Sequence, residues 1–180
     1  MKIPLPNDIF LKTLISEKQL KKKVSDLGVI LTEYYKNKTP LFISISNGAM
    51  IFTADLIRHV ELPLNLDSVK AHSYSGTKST GKVNFTLSLK FDIKNRDVII
   101  IDDILDSGLT MQKLSEQLSL LSPASLKTCV LLDKPEARKN NLEADFVCFT
   151  IPNTFIVGYG LDYNELFRNL PYIAELEIKN

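Results

Sequence analysis

Asp102, Asp103 and Asp106 fall close together in the segment V-I-I-I-D-D-I-L-D-S-G-L-T, Val98 to Thr110, and Ser107, Gly108 and Thr110 follow at once. Ionised carboxylates accept hydrogen bonds from sugar hydroxyls and hold hard cations through oxygen. A glycine lets backbone N–H groups come close to an anion, and hydroxyls add donors. A turn that carries both sets suggests capture of a sugar phosphate, with a metal ion beside it. An ordinary strand-to-helix loop accounts for one solvated Asp and a helix cap. It does not account for three acids followed by Ser-Gly-x-Thr.

The neighbouring residues say how this turn is positioned. Val98 to Ile101 are all β-branched and describe a strand buried on both faces, as in a parallel sheet. Met111, Leu114, Leu118 and Leu121 recur at helical spacing after Thr110. The acids therefore sit where a strand ends and a helix begins, the usual ligand position of an open α/β sheet.

Similar units lie on either side. Ser16-Glu17-Lys18-Gln19 has the form of a capping box, and Leu20, Val24, Leu27 and Leu31 predict an amphipathic helix ending near Tyr35. Residues 41–46 predict a short strand, Asn47-Gly48 a turn, and residues 49–59 a helix with Met50, Phe52, Leu56 and Ile57 as core candidates. Residues 64–71 predict a second strand. The Ser-, Thr- and Gly-rich run 73–82 reads as a flexible connection or an active-site lid. Alternation from Val83 to Leu89 predicts an antiparallel strand, which makes that run the tip of a long hairpin.

Beyond Pro123, residues 125–132 predict another strand ending at Asp133-Lys134-Pro135, and residues 138–141 a polar loop. Short apolar runs follow at 146–149 and 155–157, and residues 172–178 predict an edge strand or extended segment. Residues 1–8 read as an extended lead-in. The expected fold class is α/β, with a parallel-sheet core flanked by helices. The chain is expected to be one domain over residues 1–180, with its core at about 15–150. Residues 151–180, joined by the N-terminal lead-in, would form a small hood over the sheet's C-terminal edge.

Composition narrows the function classes. The 180 residues are 44% hydrophobic and 24% charged, as in an ordinary globular protein. A formal net charge of +1 gives no support to bulk attraction to nucleic acid or membrane. Lys18, Lys21, Lys22 and Lys23 share a helical segment with Glu17 and Asp26 and read as a solvated face. Cys129 and Cys148 lie in apolar runs and read as buried free thiols, without the Cys/His spacing of a zinc site. No apolar stretch reaches membrane-spanning length and no signal-peptide core is present, so a cytoplasmic location is expected.

Ile101 to Thr110 resembles the phosphoribosyl-pyrophosphate (PRPP) signature of the type I phosphoribosyltransferases. Ser73-Tyr74, the run L-L-D-K-P (131–135), the run F-I-V-G-Y-G-L-D-Y (155–163), Phe167-Arg168 and L-P-Y-I (170–173) resemble the hypoxanthine (hypoxanthine-guanine) branch. The resemblance covers nearly the whole chain, from about Ile15 onward. It implies the type I fold with a flexible hairpin lid. It also implies a purine-salvage activity, the Mg²⁺-dependent transfer of ribose 5-phosphate from PRPP to N9 of hypoxanthine or guanine.

On this resemblance Asp102 and Asp103 engage the ribose hydroxyls and the magnesium shell, and Asp106 handles the purine N7 proton. Ile104, Leu105, Ser107, Gly108, Leu109 and Thr110 complete the ribose-phosphate segment. Lys134 donates to the purine O6, Phe155 stacks on the base, and Ile156 and Asp162 face its pyrimidine edge. Asp162 also enters a magnesium shell. Asn47, Gly48 and Arg168 meet pyrophosphate, and Ser73 and Tyr74 close the lid over PRPP. The family assembles as homodimers or homotetramers.

Two positions depart from the family. Its pyrophosphate loop usually reads Leu-Lys-Gly or Leu-Arg-Gly, where this chain has Ser46-Asn47-Gly48. Asp102 stands where many members have Glu. Two other readings compete with an enzyme. A regulator of the same fold would bind nucleotide or RNA with weak or no catalysis, yet Lys134, Phe155 and Asp162 are present and the charge is near neutral. A phospho-accepting receiver domain would carry its acid pair after the first strand, and here the pair is mid-chain.

Overall fold

The computed structural model describes residues 9–73, 83–86 and 88–178. In chain order the elements are β1 (Ile9–Ile15), α1 (Glu17–Tyr34), β2 (Leu41–Ser46), α2 (Met50–Ile57), β3 (Asn65–Ser73), β4 (Val83–Thr86) and β5 (Asp97–Leu105). Then come α3 (Leu109–Ser119), β6 (Ser125–Asp133), a 3₁₀ turn (Pro135–Ala137), β7 (Phe146–Thr150), β8 (Ile156–Val157) and β9 (Ile173–Ile178).

Six strands make one sheet in the order β4-β3-β2-β5-β6-β7. All neighbours are parallel except β3 and β4, which run antiparallel with Ser73 opposite Val83. The β-branched run of β5 is buried throughout, with neighbours on both sides, as its lack of alternation predicts. Period-two alternation sends Phe42, Ile99, Ile101 and Leu131 to one face, where they pack with Leu27, Leu31, Phe52 and Leu56 of α1 and α2. Ile43, Ile45, Ile100 and Val130 meet Met111, Leu114 and Leu118 of α3 on the other.

The helix signals hold. Ser16 forms both arms of its capping box: its Oγ accepts from the Gln19 N–H at 3.4 Å, and its own N–H donates to Gln19 Oε1 at 3.0 Å. The lysine face of α1 is exposed, with Lys21 paired to Glu17 at 2.6 Å and Lys22 to Asp26 at 3.0 Å. Cys129 and Cys148 are buried and unpaired, and burial pushes the Cys148 thiol up to about 12, which leaves it unreactive. No helix among the described residues is long and apolar enough to cross a membrane.

Several expectations need correction. Of the core candidates on α2, Phe52 and Leu56 are buried, but Met50 is exposed and Ile57 only half-buried. Leu121 lies past the end of α3 and is exposed. Residues 172–178 are not an edge strand. β9 is the middle strand of a second sheet, β1-β9-β8, because the unforeseen β1 pairs antiparallel along it from Ile9↔Ile178 to Ile15↔Ile173. The hairpin arms are in place, but the expected lid, residues 74–82 with Tyr74, lies outside the described residues, as does the lead-in 1–8.

Candidate active site

Asp102 and Asp103 lie toward the carboxyl edge of the sheet, inside the central strand, which runs on through Leu105 rather than ending at the acids as expected. Asp102 is buried, and its Oδ1 accepts from the Asp103 N–H at 3.0 Å. Loss of solvent makes both carboxyls hold a proton more tightly than ordinary carboxylates do; the Asp103 charge adds to this at Asp102, whereas at Asp103 the hydrogen bond with Asp102 works against it. The chain then turns through Asp106, which is exposed, and Gly108, whose φ of +79° is in the left-handed region, to start α3 at Leu109. The Leu109 N–H points at Ser107 Oγ, 3.5 Å away.

A cavity of about 350 Å³ opens over this turn, lined by Ser46 and Gly48 on one side and by residues 102–108 and Thr110 on the other. A second cavity, of about 250 Å³, abuts it. Asp103, Ile104 and Asp106 line both. The remaining wall of the second cavity is Lys134, Phe155, Ile156, Leu161 and Asp162. Residues from distant parts of the chain thus meet across one acidic loop.

Lys134 is buried, and its Nζ donates to the Thr154 carbonyl at 2.6 Å. Burial lowers its affinity for a proton, against the pull of Asp106. Phe155 is half exposed and stands edge-on to Tyr163 at 5.8 Å, which leaves its ring available at the cavity mouth. Ile156 is held through its main chain by β9, opposite Glu175.

Two glycines set how closely the walls approach. A Cβ on Gly48 would strike the Asp103 carboxylate, and one on Gly160, whose φ is +107°, would strike the Gly48 carbonyl oxygen. The loop after β2, the acid pair and the Gly158–Leu161 turn are therefore stacked in contact. The Tyr159 hydroxyl ties that turn to the core by donating to Asp55 Oδ2 of α2 at 2.6 Å.

Some predicted residues sit apart. Asn47 is exposed and lines neither cavity. Arg168 lines neither, because its guanidinium is paired with Asp162 at 2.7 Å and Glu165 at 3.0 Å and donates to the Gly160 carbonyl at 2.8 Å. Ser73 ends β3, next to residues 74–82, which lie outside the described residues. Asp102, Asp103 and Asp162 do not converge on one point: among the described residues no group of three or more His, Cys, Asp or Glu side chains is placed to cage a metal. The donor chemistry still suits magnesium, which keeps much of its shell as water and phosphate oxygen and needs only one or two carboxylates. Asp102, buried without an ion-pair partner among the described residues, and the half-buried Asp103 beside it fit such a cation.

One residue that hydropathy hid is Arg138. Its guanidinium is nearly buried, donating to the carbonyls of Leu105 at 2.8 Å and Asp106 at 2.7 Å and pairing with the Asp133 carboxylate. The only signal in the sequence was its place just beyond Asp133-Lys134-Pro135, where a chain reversal brings it back to the acidic loop.

Comparison with known proteins gives concordant results. The family described as Phosphoribosyl transferase domain matches residues 12–164. The hypoxanthine-guanine phosphoribosyltransferase of Bacillus subtilis (strain 168) is 46% identical over 167 residues, 92% of this chain and 93% of that protein. A hypoxanthine phosphoribosyltransferase crystal structure from Staphylococcus aureus has a TM-score of 0.88 at 41% identity, covering 95% of this chain and 93% of that one. The Trypanosoma cruzi hypoxanthine phosphoribosyltransferase, solved in complex with the product IMP, has a TM-score of 0.86 at 32% identity, covering 96% of this chain and 97% of that one.

Proposed function

The chain belongs to the hypoxanthine-guanine phosphoribosyltransferases, and on that premise we propose that it salvages purines. It transfers the ribose 5-phosphate of PRPP to N9 of hypoxanthine or guanine, giving IMP or GMP and pyrophosphate. The observation that carries the reading is the pair of abutting cavities with Asp103, Ile104 and Asp106 in their common wall. One offers an anion cradle and carboxylates for a sugar, the other an aromatic platform and a single buried ammonium for a flat oxo-base. IMP, the ligand of the Trypanosoma cruzi relative, has those two halves.

Each residue contributes by its chemistry. The turn 106–110 binds the 5-phosphate, and Asp102 and Asp103 accept from the ribose hydroxyls. Lys134 has donors only, so it selects a base with an oxygen at position 6 over one with an amino group. Phe155 covers the ring, while Ile156 and Asp162 face its far edge. Asp106, which borders both cavities, holds or passes the N7 proton in this reading as the bond to N9 forms. Asp102 and Asp103 on one side and Asp162 on the other would hold magnesium through its water shell. Magnesium, when bound, neutralises charge on the pyrophosphate leaving group.

Pyrophosphate contact rests on the backbone at Asn47 and Gly48 and on Arg168, once the latter exchanges its carboxylate partners for phosphate. Ser73 and Tyr74 close over PRPP. We place the enzyme in the cytoplasm as a single domain that forms homodimers or homotetramers. The relatives are named as enzymes, and none supports the regulatory alternative. The test is a spectrophotometric assay of each base with PRPP and Mg²⁺. Turnover of hypoxanthine or guanine is expected, and none with any oxopurine would sink the enzyme reading. Asp106→Asn is expected to lower turnover far more than PRPP binding; equal losses would make Asp106 a binding group.

A further inference from the structure

We infer that Arg138 is a positioning residue for the anion cradle, holding two successive carbonyls from behind so that, with a third held by the Lys139 N–H, three successive N–H groups turn toward the ligand. The inference rests on the reading of the larger cavity as a 5-phosphate site and supplies its cause. Within a planar trans peptide the C=O and N–H bonds point in opposite directions. Fixing a carbonyl on one side therefore aims the following residue's N–H at the other.

Three successive carbonyls are fixed in this way from behind. The Leu105 oxygen accepts from Arg138 Nη1 at 2.8 Å and from the Lys134 N–H at 3.0 Å. The Asp106 oxygen accepts from the same Nη1 at 2.7 Å, and the Ser107 oxygen accepts from the Lys139 N–H at 3.0 Å. The N–H groups of Asp106, Ser107 and Gly108 must then face away from the 134–139 segment, toward the cavity those residues line. Among the described residues none of the three has an acceptor within the chain. Consecutive N–H groups aimed at one point form an anion-binding nest.

The guanidinium is suited to this task because it is a rigid fork. One nitrogen bridges two carbonyls while another is locked to Asp133, whose side chain is itself 17% exposed against 10% for Arg138. The brace also presses directly on the turn: a Cβ on Gly108 would collide with Asn140 and come within 3.0 Å of Arg138 Cδ. A lysine could keep the charge but not the two-carbonyl bridge. The brace reaches the base side only at main-chain atoms, the Asp106 carbonyl and the Leu105 carbonyl shared with the Lys134 N–H, and touches none of Phe155, Ile156 or Asp162.

The variants are Arg138→Met and Arg138→Lys, with ribose 5-phosphate as the calorimetric probe and steady-state kinetics alongside. Losing hydrogen bonds from a charged donor is expected to weaken ribose 5-phosphate binding and raise the KM for PRPP about ten- to hundredfold in Arg138→Met. A smaller rise is expected in Arg138→Lys. The KM for hypoxanthine at saturating PRPP should stay within about threefold of the parent, a separation that general loosening of the fold would not produce. Unchanged ribose 5-phosphate affinity in either variant, or equal losses toward base and phosphate, overturns the inference. If Arg138→Met does not fold, Arg138→Lys decides alone. Failure of the unmodified protein to bind ribose 5-phosphate would instead refute the phosphate-site reading beneath it.

Discussion

Gly160→Ala is the sharpest probe of how the site is assembled. The residue has φ of +107°, which an L side chain rarely adopts, and the new Cβ would enter the shell of the Gly48 carbonyl oxygen. Gly48 cannot retreat freely, since its own α-carbon is pressed against the Asp103 carboxylate. Backbone strain of about 1–3 kcal/mol and an overpacking cost of similar size give a loss of roughly 2–4 kcal/mol after partial relaxation. For a chain of this length that corresponds to a fall in Tm of roughly 5–15 °C. The displaced wall holds the pyrophosphate end of the cavity, so the KM for PRPP should rise about tenfold or more while the KM for hypoxanthine moves less. Thermal melting and steady-state kinetics read both effects. Gly28→Ala is the control: its Cβ would collide with His59, and neither residue lines either cavity, so it should lower Tm and leave both KM values alone. A Gly160→Ala protein with Tm within about 2 °C of the parent, or with both KM values unchanged, would refute the stacking argument.

Lys134→Met removes an ammonium whose burial is unfavourable, so the fold should be as stable or more so, while kcat/KM for hypoxanthine should drop about a hundredfold; a loss below threefold would free Lys134 from base selection. Tyr159→Phe deletes the bond to Asp55 and should cost about 1–2 kcal/mol of stability in urea unfolding, and no shift of the midpoint would mean the turn is held by other contacts. Asp145 accepts from Lys127 and from the Thr128 N–H and Oγ1, and these bonds hold its carboxyl below the usual range despite partial burial. A depressed folded value stabilises above the unfolded carboxylate range and loses that stabilisation as pH falls through the folded value. Asp145→Asn should therefore flatten the decline of Tm below about pH 4, and an identical acid limb in both proteins would refute the assignment.

What could be read in the sequence was whatever depends on near neighbours. Val98 to Ile101 announced a central strand because burial on both faces removes alternation, and Ser16 with Gln19 announced a helix start through a local exchange of hydrogen bonds. The motif also marks residues 102–108 and Thr110, with Lys134, Phe155 and Asp162, which the fold brings to two abutting cavities; Leu109, in the same motif, lines neither. β1 was illegible because its burial pattern follows no period and its partner is β9, at the far end of the described chain. Met50 looked apolar enough for the core, but α2 turns it outward at its first position. Arg138 escaped notice because hydropathy assigns arginine to solvent; only the fold supplies the carbonyls and carboxylate that let it be buried. Arg168 was read as a phosphate ligand, and no sequence pattern shows that its fork is engaged by Asp162 and Glu165.

The pairing of β1 with β9 also divides the site by the length of chain that must be closed to build each half. The ribose-phosphate turn is built from one strand, one helix and the adjacent strand, with contacts between residues 97 and 139 that are short-range in the chain. The base-facing residues Phe155 and Ile156 hang on β9, and β9 is completed only by joining segments from opposite ends of the described chain, which is slow loop closure. Loosening either end of the described chain should therefore reach the purine side of the site before the ribose 5-phosphate side.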